Sequence, residues 1–182
     1  MKTLLLTILF LLVAGLDAEP VYVKYRQAFG FKASNISGYG AYYGVRPSEK
    51  TRIQITGIGY LYNGSWGKDT AEIKNYSIGL EFQKDIIQEE KYRYYLMVGG
   101  YYYSDDDKTT GSKNFHKILD SYNAGVGIGF DYMILRRVSL GVELGYKIFR
   151  DYWDEKRGDE EPVPCHEYQS KVGAGMNLGF VF

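Results

Sequence analysis

The stretch Tyr168-Gln-Ser-Lys-Val-Gly-Ala-Gly-Met-Asn-Leu-Gly-Phe-Val-Phe182 decides the fold. Its even positions read Tyr168, Ser170, Val172, Ala174, Met176, Leu178, Phe180 and Phe182. Its odd positions read Gln169, Lys171, Gly173, Gly175, Asn177, Gly179 and Val181. Successive side chains of a strand point to opposite faces, so a period of two marks a strand between two environments. One face here is apolar and the other polar or glycine.

The same split recurs upstream. Residues 137–148 oppose Val138, Leu140, Val142, Leu144, Tyr146 and Ile148 to Arg137, Ser139, Gly141, Glu143, Gly145 and Lys147. Residues 122–134 oppose Tyr122, Ala124, Val126, Ile128, Phe130, Tyr132 and Ile134 to Asn123, Gly125, Gly127, Gly129 and Asp131. Residues 75–83 and 92–103 repeat the pattern, with Glu81 and Arg93 on their polar faces. Residues 21–33, 38–46 and 52–62 carry it more weakly. The first has Val21, Val23, Tyr25, Phe29 and Phe31 opposite Lys24, Arg26, Gly30 and Lys32, and in the third a bulge is expected after Gly57 and Gly59. These windows predict eight strands. Short links at 47–50, 86–90 and 135–136 alternate with longer polar ones at 63–71, 105–117 and 151–166, while the link at 35–37 is short. Turns at one end and loops at the other are the pattern of transmembrane barrels.

Alternation alone does not say which face meets solvent. Glycine weakens a strand, yet it crowds the polar face at 125, 127, 129, 141, 145, 173, 175 and 179. That suits the inside of a narrow barrel, where side chains compete for volume. Tyr22, Tyr92, Tyr94, Tyr122, Tyr132 and Tyr168 fall toward strand ends, where outward aromatics form interfacial girdles. The 19 tyrosines of the 182-residue chain thereby find a use. Backbone groups find no partner in hydrocarbon, so the last strand must pair with the first. The expected fold is all-β: an eight-stranded antiparallel up-and-down transmembrane β-barrel over residues 19–182.

Residues 1–18 read as a secretory signal peptide. Lys2 precedes an apolar run, Leu4–Leu16, broken only by Thr7, with small residues at Ala14, Gly15 and Ala18. Cleavage after Gly15 and cleavage after Ala18 both fit. The run is shorter than the roughly 20 residues of a spanning helix. Cys165 is the only cysteine, so no intrachain disulfide forms. Net charge is zero, which argues against nucleic acid as a partner.

With these strands in place, the sequence resembles the small outer-membrane barrels of the OmpX and OmpA transmembrane-domain type. The strongest local match is the C-terminus, where Ala174, Met176, Leu178, Phe180 and Phe182 look like the assembly signal read by the barrel-assembly machinery. The resemblance implies an integral protein of the bacterial outer membrane, a monomer among outer-membrane lipids and lipopolysaccharide. Its loops would be free to meet a host or matrix ligand.

Charges in a narrow lumen must be paired or hydrated. A structural network that plugs the barrel is expected from Arg26, Glu81, Arg93, Asp131, Glu143, Lys147 and Lys171. Arg93 is expected to pair with Glu81 and Asp131, and Glu143 to sit between Arg26, Lys147 and Lys171. The alternative is a narrow path for small solutes. A third reading, lipid A modification, has weaker footing. His116 and His166 are followed two positions on by Ile118 and Tyr168 rather than serine, although His116, Asp120 and Ser121 are suitable residue types lying close in sequence. No enzyme activity, cofactor or metal is expected. The acidic stretches at 105–107 and 151–161 match no twelve-residue calcium loop, and Cys165 reads as a loop thiol.

Overall fold

A computed structural model of the chain describes residues 21–111, 114–157, 161 and 163–182. The expected signal peptide, 1–18, lies outside the described residues. Eight strands follow one another antiparallel around a closed barrel in chain order. They are β1 (Gln27–Ser34), β2 (Gly38–Ser48), β3 (Thr51–Trp66), β4 (Asp69–Gln88), β5 (Tyr92–Thr110), β6 (Phe115–Leu135), β7 (Val138–Arg157) and β8 (Val163–Val181). The seam joins β1 to β8 from Ala28↔Val181 to Ser34↔Gly175. Gln27 and Phe182 exchange backbone hydrogen bonds of 3.0 and 2.9 Å beyond it.

The polarity of the barrel is inverted relative to a water-soluble core. Phe31, Leu80, Ile128, Leu144 and Met176 are among many large apolar side chains exposed on the outside. Lys32, Arg52, Glu81, Arg93, Asp131 and Glu143 are buried inside. The period-two faces therefore point as expected. Two belts of rings bound the apolar band. At the end where Gln27 and Phe182 meet, the near end, Tyr94 packs on Phe130 at 4.8 Å and Phe29 on Phe180 at 5.6 Å between centroids. At the far end Tyr102 packs on Tyr122 at 5.0 Å and Tyr76 on Tyr102 at 5.6 Å.

Four expectations change. The first strand begins at Gln27 rather than Val21, because β8 ends at Val181 and leaves earlier residues no ladder to join. Val21–Lys24 instead form a single helical turn, α1, and Tyr22 points into the barrel rather than joining the girdle. There is no bulge at Gly57 or Gly59, since β3 and β4 pair without a break from Thr51↔Lys84 to Trp66↔Asp69. The described irregularities lie near the near-end turns instead, between Val45 and Ser48, Asp85 and Ile87, and Met133 and Leu135. Finally, most of the expected loops at 63–71, 105–117 and 151–166 are strand: β3 to β8 continue as paired ladders well past the apolar band.

The β1–β2 hairpin does not share that extension. It turns at Asn35–Ser37, with Gly38 at a φ of 107° that a side chain would resist. The turn folds inward, and Ile36 is wholly buried. A Cβ added at Gly125, Gly145 or Gly173 would lie 2.7, 3.1 or 2.4 Å from an atom of the Ile36 side chain. Three inward glycines on β6, β7 and β8 thus form the socket for one isoleucine.

Candidate functional site

The interior of the barrel is the candidate site, and it is filled in three layers. At the near end, the α1 turn sets Tyr22 at 2 % exposure against Ala28, Tyr42, Met133 and Val181. Its ring lies 5.3 Å from the Arg93 guanidinium. Tyr95 stacks on the other side of the network, 4.3 Å from the same guanidinium.

The second layer is ionic. Arg93 donates to Asp131 through Nε at 2.9 Å and Nη2 at 2.6 Å, to Asp85 through Nη1 at 2.8 Å, and to Gln83 through Nη2. Arg46 also donates to Asp85, and Arg52 lies 3.7 Å from Asp131. Asn177 donates to the second oxygen of Asp131 at 3.3 Å. Lys32 bridges two carboxylates, Glu81 at 2.6 Å and Glu143 at 2.5 Å. Tyr95 donates to Glu143 at 3.1 Å and Gln83 donates to Glu81. The ion pairs thus join four cations (Lys32, Arg46, Arg52, Arg93) to four carboxylates (Glu81, Asp85, Asp131, Glu143). Buried charges are tolerable when paired and hydrogen-bonded in this way.

The third layer is the Asn35–Ser37 turn. It is tied down by Asn35, whose Oδ1 accepts from the Ala174 amide at 2.9 Å, and by Ser34, whose hydroxyl accepts from the Ile36 amide at 3.2 Å. Ile36 joins Tyr95 and Met97 in an apolar cluster above the charges. Beyond it the far-end vestibule holds Lys147, which donates to Asn123 at 2.9 Å and to Tyr101 at 3.2 Å.

The expected network is thus partly met. Arg93 pairs with Asp131 as expected, but Glu81 belongs to Lys32, and the second carboxylate on Arg93 is Asp85. Glu143 meets neither Arg26, Lys147 nor Lys171. Arg26 is exposed at the near end, outside the barrel ladder of β1. Lys147 and Lys171 lie on the far side of Ile36, because Gly145 and Gly173, the residues two positions before and after them on β7 and β8, form its socket. Lys32, Arg46, Arg52 and Asp85 complete the layer. Lys32 stood on the polar face of its strand, Arg46 and Arg52 take inward positions on β2 and β3, and Asp85 continues the inward series of Glu81 and Gln83.

The assembly-signal residues Ala174, Met176, Leu178, Phe180 and Phe182 share the outer face of β8 and the segment just after it. His116 sits on the outside and meets Asp106 at 2.8 Å, while Asp120 accepts from Tyr102. Ser121 points inward to Asp151, so His116 and Ser121 lie on opposite faces of β6 and assemble no nucleophilic centre. His166 is exposed and Cys165 half-buried. Among the described residues, no three His, Cys, Asp or Glu side chains converge at metal-ligand spacing.

The class these features define is a closed eight-stranded antiparallel barrel with an apolar exterior and a charge-filled interior. Among solved structures, the chain is similar to a major outer membrane protein of Thermus thermophilus (14 % identity, 87 % of this chain and 97 % of that one, TM-score 0.43). It is similar to CarO of Acinetobacter baumannii (8 %, 87 % and 98 %, TM-score 0.43) and to the outer membrane protease OmpT of Escherichia coli (10 %, 93 % and 99 %, TM-score 0.47). No protein-family model and no curated protein matches the sequence.

Proposed function

We propose that the chain is an integral protein of the bacterial outer membrane, a plugged barrel with a structural or surface-interaction role. The observation that carries the plug is the three-layer filling of the interior by Tyr22, the ionic cluster and Ile36. Membrane residence is supported by the exterior. Between the belts, Tyr122 and Tyr132 are ten residues apart on β6. At about 3.4 Å per residue and a tilt of about 40° this spans roughly 25 Å, the height of the apolar band of such barrels. The paired strands that continue beyond the far belt would stand in the extracellular medium and offer their surface to a host or matrix ligand.

Lipid contacts follow from the same placement. Arg150 points outward from the far belt, 4.2 Å from the Tyr152 ring and 4.8 Å from the Tyr168 ring. Its charge would suit a lipopolysaccharide phosphate. The outward apolar series from Ala174 to Phe182 is offered as the segment read by the barrel-assembly machinery, and the chain acts as a monomer without cofactor or catalytic centre. The alternative is a narrow channel. Recordings across planar bilayers separate the two: the plugged barrel gives no stable steps. Stepwise currents that vanish in Glu143→Gln would overturn the plug and establish the channel.

A further inference from the structure

Lys147 and Lys171 are directly opposite one another in the β7–β8 ladder. Directly opposed side chains on one face of a sheet are about 5 Å apart at Cβ, and like charges there are unfavourable. Nothing on the near side relieves the pair, because the Ile36 turn separates it from Glu143 and the rest of the ionic layer. Lys147 is 4 % exposed and its hydrogen-bond partners, Asn123 and Tyr101, are both neutral. Two carboxylates flank Lys147 four residues away on the inward face of β7: Glu143 lies beyond Ile36, and Asp151 accepts from Ser121 and attracts Lys147 only at longer range. Among the described residues neither lysine has a carboxylate at ion-pair distance. Both ammonium groups instead converge on one ring: they lie 4.5 and 4.6 Å from the centroid of Phe149, which is itself buried.

We propose that Lys147 and Lys171 form the two arms of a binding site for a small oxyanion, a carboxylate or a phosphate, entering from the far end. Phe149 forms one wall, Asn123 and Tyr101 orient the buried arm, and the exposed Lys171 is the arm that meets the solute first. An oxyanion lying between the two ammonium groups turns a repulsive cross-strand pair into two charge-assisted contacts. The inward face above the site carries Asp105, Asp107, Asp151 and Glu167. These carboxylates repel anions along the approach, so any attraction is local to the two ammonium groups.

The test is calorimetric titration of the refolded full chain in neutral detergent with sodium phosphate and, separately, sodium acetate, each against sodium chloride of equal ionic strength. Saturable one-to-one binding of either ion is expected, and which ion binds assigns phosphate or carboxylate as the preferred group. Lys171→Met removes an exposed side chain and leaves the fold intact; it is expected to weaken binding by about tenfold or more, one charge-assisted contact. Lys147→Met is expected to match it. The proposal is overturned by the absence of saturable binding for both ions, or by unchanged affinity in Lys171→Met.

Discussion

Replacing Lys32 by methionine tests the ionic layer at its most exposed point of logic. The side chain is close to isosteric, so packing is nearly kept while the charge is lost. Glu81 and Glu143 both touch the Lys32 nitrogen, at 2.6 and 2.5 Å, so their oxygens lie no more than about 5 Å apart. All three side chains are at most 1 % exposed. Without the ammonium, two carboxylates at that distance repel by about 3 kcal/mol at an effective dielectric of about 20. Carboxylate oxygens left without their donor add about 1–3 kcal/mol. The expected loss of about 4–6 kcal/mol overlaps the range of about 3–5 kcal/mol that breaking a buried ion pair from one side costs. Urea unfolding of the protein in lipid vesicles, followed by tryptophan fluorescence and by heat-dependent gel migration, measures it. Lys32→Met combined with Glu81→Gln and Glu143→Gln should recover most of the loss. A Lys32→Met protein within about 1 kcal/mol of the parent would refute the reasoning, and so would a triple variant no more stable than the single one.

Ile36→Ala should destabilise by about 2–5 kcal/mol, the cost of emptying a core isoleucine site, and a loss below about 0.5 kcal/mol in the same unfolding assay would mean that the turn is not seated. Gly173→Ala places a methyl 2.4 Å from the Ile36 side chain and 2.8 Å from Asn35 Oδ1, so it should lower stability in the parent and less in an Ile36→Ala background, where the Asn35 contact remains; equal losses in both would sink the socket. Arg150→Gln should reduce the number of lipopolysaccharide molecules retained after mild detergent extraction, read by native mass spectrometry, with stability changed by less than about 1 kcal/mol. In fractionated cells the protein should pellet with outer membranes and run faster on gels unheated than heated; recovery in the soluble periplasm would remove membrane residence.

The faces of the strands were legible within the apolar band because each strand there divides an apolar exterior from a polar lumen, and that division writes a period of two into the sequence. The upper halves of β3 to β8 were not, for a related reason. Both of their faces leave the apolar band, so residues such as those at 63–71 and 151–157 have no apolar side to mark. The Arg93–Asp131 pair was readable because the two residues face each other directly across β5 and β6. Lys32 pairs across the lumen with residues on β4 and β7, and such partners depend on the stagger of the strands around the barrel, which local patterning does not record. The turn carried a signal of another kind. An isoleucine in a three-residue link is out of place in water, and the inward glycines at 125, 145 and 173 left the volume it fills.

The seam between β1 and β8 is paired over seven residues, whereas β4 and β5 are paired over eighteen. Lys32, Ser34 and Ile36 all belong to the short hairpin that this seam holds in place. Docking that hairpin therefore does two things at once: it completes the ring and delivers the cation and the cork. Without that hairpin the cylinder would be slit and uncorked, with Glu81 and Glu143 lacking their shared cation. Closing the ring and supplying the shared cation are thus tied to one element of this barrel, and the amide protons of β1 are where local opening is expected to be read first by hydrogen exchange.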